Sequence, residues 1–88
     1  MSKIQSLSRG LTIIELLAKS DVSLGVTEIS KHLGVTKGSA TRLIQTLVEH
    51  EFAVRDPESR RFLIGPKMQN LVELSADPLP LKTISRAL

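Results

Sequence analysis

A chain of 88 residues, 41% hydrophobic and without cysteine, has room for one small domain with a core; it excludes disulfide staples, thiol catalysis and cysteine-based zinc sites. Its formal net charge is +3 and its only aromatic residues are Phe52 and Phe62, so it lacks the stacking platforms that grip single strands or RNA loops. No apolar run approaches a membrane span and "MSKIQSLSRG" has no signal-peptide h-region, which sets the expectation of a soluble, cytoplasmic protein.

Residues 7–19, "LSRGLTIIELLAK", repeat apolar side chains at helical spacing. Leu7, Leu11, Ile14 and Ala18 form the expected stripe, Ile13 and Leu17 widen it, and Ser6 or Ser8 is placed to cap the start. "SDVSLG" interrupts the pattern. "VTEISKHLG" then predicts a shorter helix with Ile29 and Leu33 inward, ended by Gly34 in a left-handed conformation. Val35 supplies an apolar anchor in the turn. Thr36 caps a third helix that runs to about His50.

On a wheel, this third helix turns Ala40, Leu43, Ile44 and Leu47 toward the core. Gly38, Arg42, Gln45 and Glu49 fall opposite, with Ser39, Thr41 and Thr46 on the flanks. The outer face is basic and polar at its N-terminal end and acidic only at its far end. A helix entering a groove tip-first carries that gradient.

Two short helices joined through a tight glycine-containing turn make a helix-turn-helix. "FAV" and "RFLI" follow as two short strands around the turn "DPES", whose proline stands second. The hairpin carries Arg55, Arg60 and Arg61 at or beside its tip. "GPKMQNLVELS" predicts a further short helix with Met68, Leu71, Val72 and Leu74 as its apolar side, and "ADPLPL" is a joint rich in breakers. The final "LKTISRAL" sets Leu81, Ile84 and Leu88 at helical spacing, an apolar stripe expected to meet a second copy of the chain, with part of the first helix, in a homodimer.

Charge follows this layout. No acidic residue falls between Glu28 and Glu49, whereas Lys31, Lys37 and Arg42 do, and Arg55, Arg60, Arg61 and Lys67 form a second basic group. That distribution suits phosphate contacts; an ordinary solvated face is the alternative.

Taken together, "IQSLSRGLTIIELLAKS", "VTEISKHLGVTKGSATRLIQTLVEHEF" and "RDPESRRFLIGPKM" resemble the N-terminal DNA-binding domain of the IclR family of bacterial transcription regulators, over roughly residues 4–75. The resemblance implies a mainly α fold with a small β-hairpin: a winged helix-turn-helix of three core helices and a two-stranded wing, then a short helix and a linker helix. It also implies dimeric binding to a palindromic operator in double-stranded DNA. Residues 1–75 would be the DNA-binding domain and 76–88 a linker, with any small-molecule effector acting through a C-terminal domain absent from this sequence.

By position, Thr36, Lys37, Ser39, Thr41 and Arg42 lie where the family's recognition helix meets the major groove, Arg9 at the start of the first helix near DNA, and Arg60 and Arg61 in the wing. Two departures stand out. Gly38 replaces a residue with a side chain, and Glu51 replaces the glycine that commonly ends the recognition helix.

The chemistry agrees with this placement. Lys and Arg neutralise phosphates, and hydroxyls of Thr36, Ser39 or Thr41 can fix register. Arg42 and Gln45 have the shapes that read guanine and adenine edges. Gly38 either permits close approach of a base or sugar or is a tolerated weak point in the helix.

His32 and His50 lack the spacing of metal ligands, "GVTKGSAT" lacks the spacing of a phosphate loop, and no serine has a His and an acid placed to activate it. The expectation is therefore no enzyme, no metal, no cofactor and no membrane partner. The competing readings are a winged helix used for protein–protein contact and a binder that reads only duplex shape.

Overall fold

The structure, a computed structural model, describes residues 4–75. Its elements in chain order are α1 (Gln5–Lys19), α2 (Val26–Leu33), α3 (Lys37–Glu49), β1 (Ala53–Arg55), β2 (Phe62–Ile64) and α4 (Lys67–Leu74). The linker at 76–88, with Leu81, Ile84 and Leu88, lies outside the described residues.

The α2–α3 turn follows directly from its residues. Gly34 ends α2 at φ 71°, a left-handed geometry that only glycine adopts without steric cost. Its N–H donates to the Ser30 carbonyl at 2.9 Å, and the Val35 N–H donates to the same carbonyl at 3.1 Å. Val35 then packs, partly buried, against the core.

The core is small and draws on every layer: Ile13 and Leu17 of α1, Ile29 of α2, Ala40 and Ile44 of α3, Ala53 of β1 and Phe62 of β2. Ile13, Ile29 and Ile44 are fully buried, and at about 1.5–3 kcal/mol each they supply much of the burial energy. Leu43 and Leu47 join from the side of α3, as their wheel positions predict.

Two expectations need correction. Helix α1 begins at Gln5, with Ile4 in the capping position and no side-chain cap, so neither Ser6 nor Ser8 serves as one. Its inward stripe is Ile13 and Leu17, whereas Leu7 and Leu11 stay 60% and 52% exposed and Ala18 is exposed. The helix is apolar on two sides, and the packing of α3 and β2 against it selects one. On α4 the residues Met68, Leu71, Val72 and Leu74 are all exposed.

β1 and β2 pair antiparallel in the register Ala53–Ile64, Val54–Leu63 and Arg55–Phe62; β1 starts one residue later than "FAV", and β2 keeps "RFLI" without Arg61. A third segment joins them. Leu24 and Phe62 exchange backbone hydrogen bonds of 2.9 and 2.7 Å, so the stretch before α2 acts as a one-residue edge of the wing. Nothing in "SDVSLG" announces this, because the pairing depends on a partner 38 residues away.

Candidate nucleic-acid interface

The start of α3 is built around Thr36. Its Oγ1 accepts the Ser39 N–H at 3.1 Å and donates to Ser39 Oγ at 3.1 Å. One otherwise unpaired N–H of the first turn is thereby satisfied, while Lys37, Gly38 and Ser39 remain exposed on the helix tip. A Cβ at Gly38 would meet only Thr36 Oγ1, at 3.9 Å, so nothing inside the domain requires glycine there.

Farther along, the outer face divides. Thr41 and Gln45 turn toward the wing and share an open recess of about 260 Å³ with Arg55 and Arg60, over an apolar lining of Val26 and Phe62. Arg42 and Thr46 lie on the other flank, along a larger recess of about 840 Å³ between α1, α3 and α4. The expected residues of α3 thus fall into two groups: one beside the wing's cations, the other beside α1. Arg42 is exposed, and the Thr46 hydroxyl donates back to its carbonyl at 3.0 Å. Arg9 sits half-buried in the first half of α1.

The wing tip is a tight six-residue loop from Asp56 to Arg61. The Asp56 N–H donates to the Arg61 carbonyl and the Arg60 N–H to the Asp56 carbonyl, both at 2.8 Å. Asp56 Oδ1 also accepts from the Glu58 N–H at 2.9 Å, the local bond that favours Asp at such turns. Closing this loop holds Arg60 at φ 63°, a left-handed conformation unusual for a side chain of its size.

Arg61 takes a different course from its neighbour. Its Nη2 donates to Glu28 Oε1 at 2.6 Å and to the Ser23 carbonyl at 2.9 Å, and its Nε donates to Ser23 Oγ at 3.3 Å. Glu28 Oε1 also accepts the Gly25 N–H at 2.9 Å, capping α2. The Gly25 hydrogen bond holds the Glu28 carboxyl below its ordinary range; desolvation opposes the shift, while the charge and hydrogen bond of Arg61 add to it. The sequence places Arg61 with the tip arginines; the fold turns its guanidinium back onto α2.

Among the described residues, no three His, Cys, Asp or Glu side chains gather as metal ligands, and no helix is long and apolar enough to cross a membrane.

The family model described as the IclR helix-turn-helix domain matches residues 6–57, more than half of the chain. Over 68 residues the chain is 35% identical to the glycerol operon regulatory protein of Streptomyces coelicolor and 34% identical to the HTH-type transcriptional regulator XynR of Escherichia coli K12. Each alignment covers 77% of this chain and 27% of the relative, so the chain spans about a quarter of the length of these curated relatives. A crystal structure of an IclR transcriptional regulator from Alicyclobacillus acidocaldarius superposes with a TM-score of 0.79 at 31% identity, covering 86% of this chain and 31% of that one.

Proposed function

Because the chain belongs to the IclR family of helix-turn-helix transcription regulators, we propose that it binds a palindromic operator in double-stranded DNA sequence-specifically. The tip of α3 enters the major groove. Thr36, Lys37 and Ser39 meet phosphates there, with Gly38 allowing close approach. Arg42, Gln45 and Thr41 reach base edges or adjacent phosphates, and Arg9, Arg55 and Arg60 contact the backbone or minor groove.

One observation carries this reading: the outer face of α3 holds no large apolar side chain, its acid-free N-terminal half exposes Lys37 and Arg42, and Arg55 and Arg60 flank it from the wing. A winged helix adapted to protein contact would present an apolar α3 face.

Apolar exposure lies elsewhere, on Leu7 and Leu11 of α1 and along α4, and this supports a homodimer in which that face meets its copy. Residues 1–75 are the DNA-binding unit in this proposal, and 76–88 a linker to an effector-binding region of a longer protein.

The test is affinity for duplexes selected by the chain from a randomised pool, measured across a salt series. A steep fall of affinity with salt, together with preference for the selected sequence over a scrambled one, is the expected result. Affinity unaffected by salt would refute it.

A further inference from the structure

We propose that Arg61 is a positioning residue of the DNA-binding site, acting through Glu28 and Ser23 to set the angle of the wing against α2 and α3; this rests on the DNA-binding reading above. The geometry carries it. Three of the five guanidinium N–H donors already point inward: Nη2 to the Glu28 carboxylate at 2.6 Å and the Ser23 carbonyl at 2.9 Å, and Nε to Ser23 Oγ at 3.3 Å. Nη1 lies over Gly25, at ordinary contact distance, 3.5 Å, from where a Cβ would stand.

An isolated exposed ion pair would carry little weight, and both partners are partly exposed, at 41% and 49%. Here the pair closes a network. Glu28 is tied to the Gly25 N–H, and the adjacent Leu24 and Phe62 exchange two backbone hydrogen bonds. The root of β2 is therefore fastened to the start of α2 by backbone and side chain at successive residues. Arg60 and Arg55, across the recess from Thr41 and Gln45, inherit their position from that joint.

The proposal and a direct phosphate contact by Arg61 predict opposite signs for one substitution. Glu28→Ala removes a negative charge, so a phosphate-binding Arg61, freed from its partner, would bind DNA more tightly. If Arg61 positions the wing, Glu28→Ala weakens binding severalfold although the net charge rises.

The experiment measures operator affinity and its salt slope for the 88-residue chain and for Glu28→Ala, Arg61→Ala, their double variant, Arg61→Lys and Arg60→Ala. Thermal melts select a temperature at which every variant is folded, and Arg61→Lys serves if Arg61→Ala does not fold. The expected result is similar losses for Glu28→Ala and Arg61→Ala, no further loss in the double, and a loss in Arg61→Lys as well, because an ammonium keeps the charge but not the forked bonds to Glu28 and Ser23. Arg60→Ala lowers the salt slope by about one. Tighter or unchanged binding by Glu28→Ala, or full affinity in Arg61→Lys, overturns the proposal. If the unaltered chain selects no duplex, the DNA-binding reading itself falls, and this one with it.

Discussion

Gly65 lies against the backbone of Glu51 with no room for a side chain between them: a Cβ at Gly65 would collide with the Glu51 carbonyl oxygen and come within 2.8 Å of Ala53 N. The Gly65 N–H donates to the Phe52 carbonyl at 2.8 Å, and the Lys67 N–H donates to the Glu51 carbonyl at 3.0 Å, so the exit from β2 is stitched to the end of α3. Relief would require backbone to move, not a flexible side chain. Gly65→Ala is expected to destabilise the domain by about 1–3 kcal/mol, the usual range for overpacking, seen as a lower urea midpoint with an unchanged m-value.

On the other side of that contact, Glu51 holds φ 68°, the left-handed conformation that ends α3. The departure from the family's glycine noted in the sequence thus carries the steric cost expected of it. Glu51→Gly should raise stability by roughly 1 kcal/mol, and Gly34→Ala, at φ 71°, should lower it by a similar amount. Equal midpoints for the unaltered protein and the Glu51→Gly variant would show that the strain is relieved elsewhere.

The Glu28 carboxyl is held below its ordinary range mainly by the Gly25 N–H, with Arg61 adding to it. A depressed folded-state value means that the native state favours the charged form. The associated stability is present above the ordinary glutamate range and is lost as pH falls through that range and below it. Comparing Glu28→Gln with the unaltered protein in urea, the stability difference is expected at neutral pH and should shrink progressively in acid. A difference that grows on acidification would reverse the assigned sign.

How much of this is legible in sequence depends on the range of the interaction. The Thr36 cap, the left-handed Gly34 and the inward face of α3 are local, set by residues within four positions of one another, and the structure keeps all three. Helix α1 offers two apolar sides, and only the distant α3 and β2 decide between them, so the stripe expected through Leu7 and Leu11 is not the buried one. The Leu24–Phe62 bridge and the turn of Arg61 toward Glu28 are long-range and leave no periodic trace. For the candidate site, residue types are readable, but the split between the wing-facing pair Thr41 and Gln45 and the α1-facing Arg42 is not.

Gly38 separates stability from binding. Its Cβ position is open and the residue is exposed in the first turn of α3, so Gly38→Ala should raise stability by up to about 1 kcal/mol through helix propensity. If the glycine serves close approach of DNA, the same change should weaken operator binding, by on the order of 1 kcal/mol for a methyl group pressed into a groove contact. Paired melting and binding measurements check both signs. A variant that is more stable and binds as well leaves Gly38 with no role at the interface.

Arg60 makes the same separation with a charge. The closed loop from Asp56 to Arg61 forces it to φ 63°, where glycine would sit without strain, yet a long cationic side chain occupies the position. Within the domain, its replacement by glycine should therefore be neutral or stabilising by up to about 1 kcal/mol. At the interface the replacement removes a cation from the wing tip, so affinity should fall across all duplex sequences and the salt slope should drop by about one. Arg42→Ala provides the contrast: a loss of about 1–3 kcal/mol concentrated on the selected sequence, with relaxed preference at one base position. If Arg60→Gly instead lowers stability and leaves the salt slope intact, the strained arginine belongs to the architecture of the turn and the wing tip does not touch phosphate.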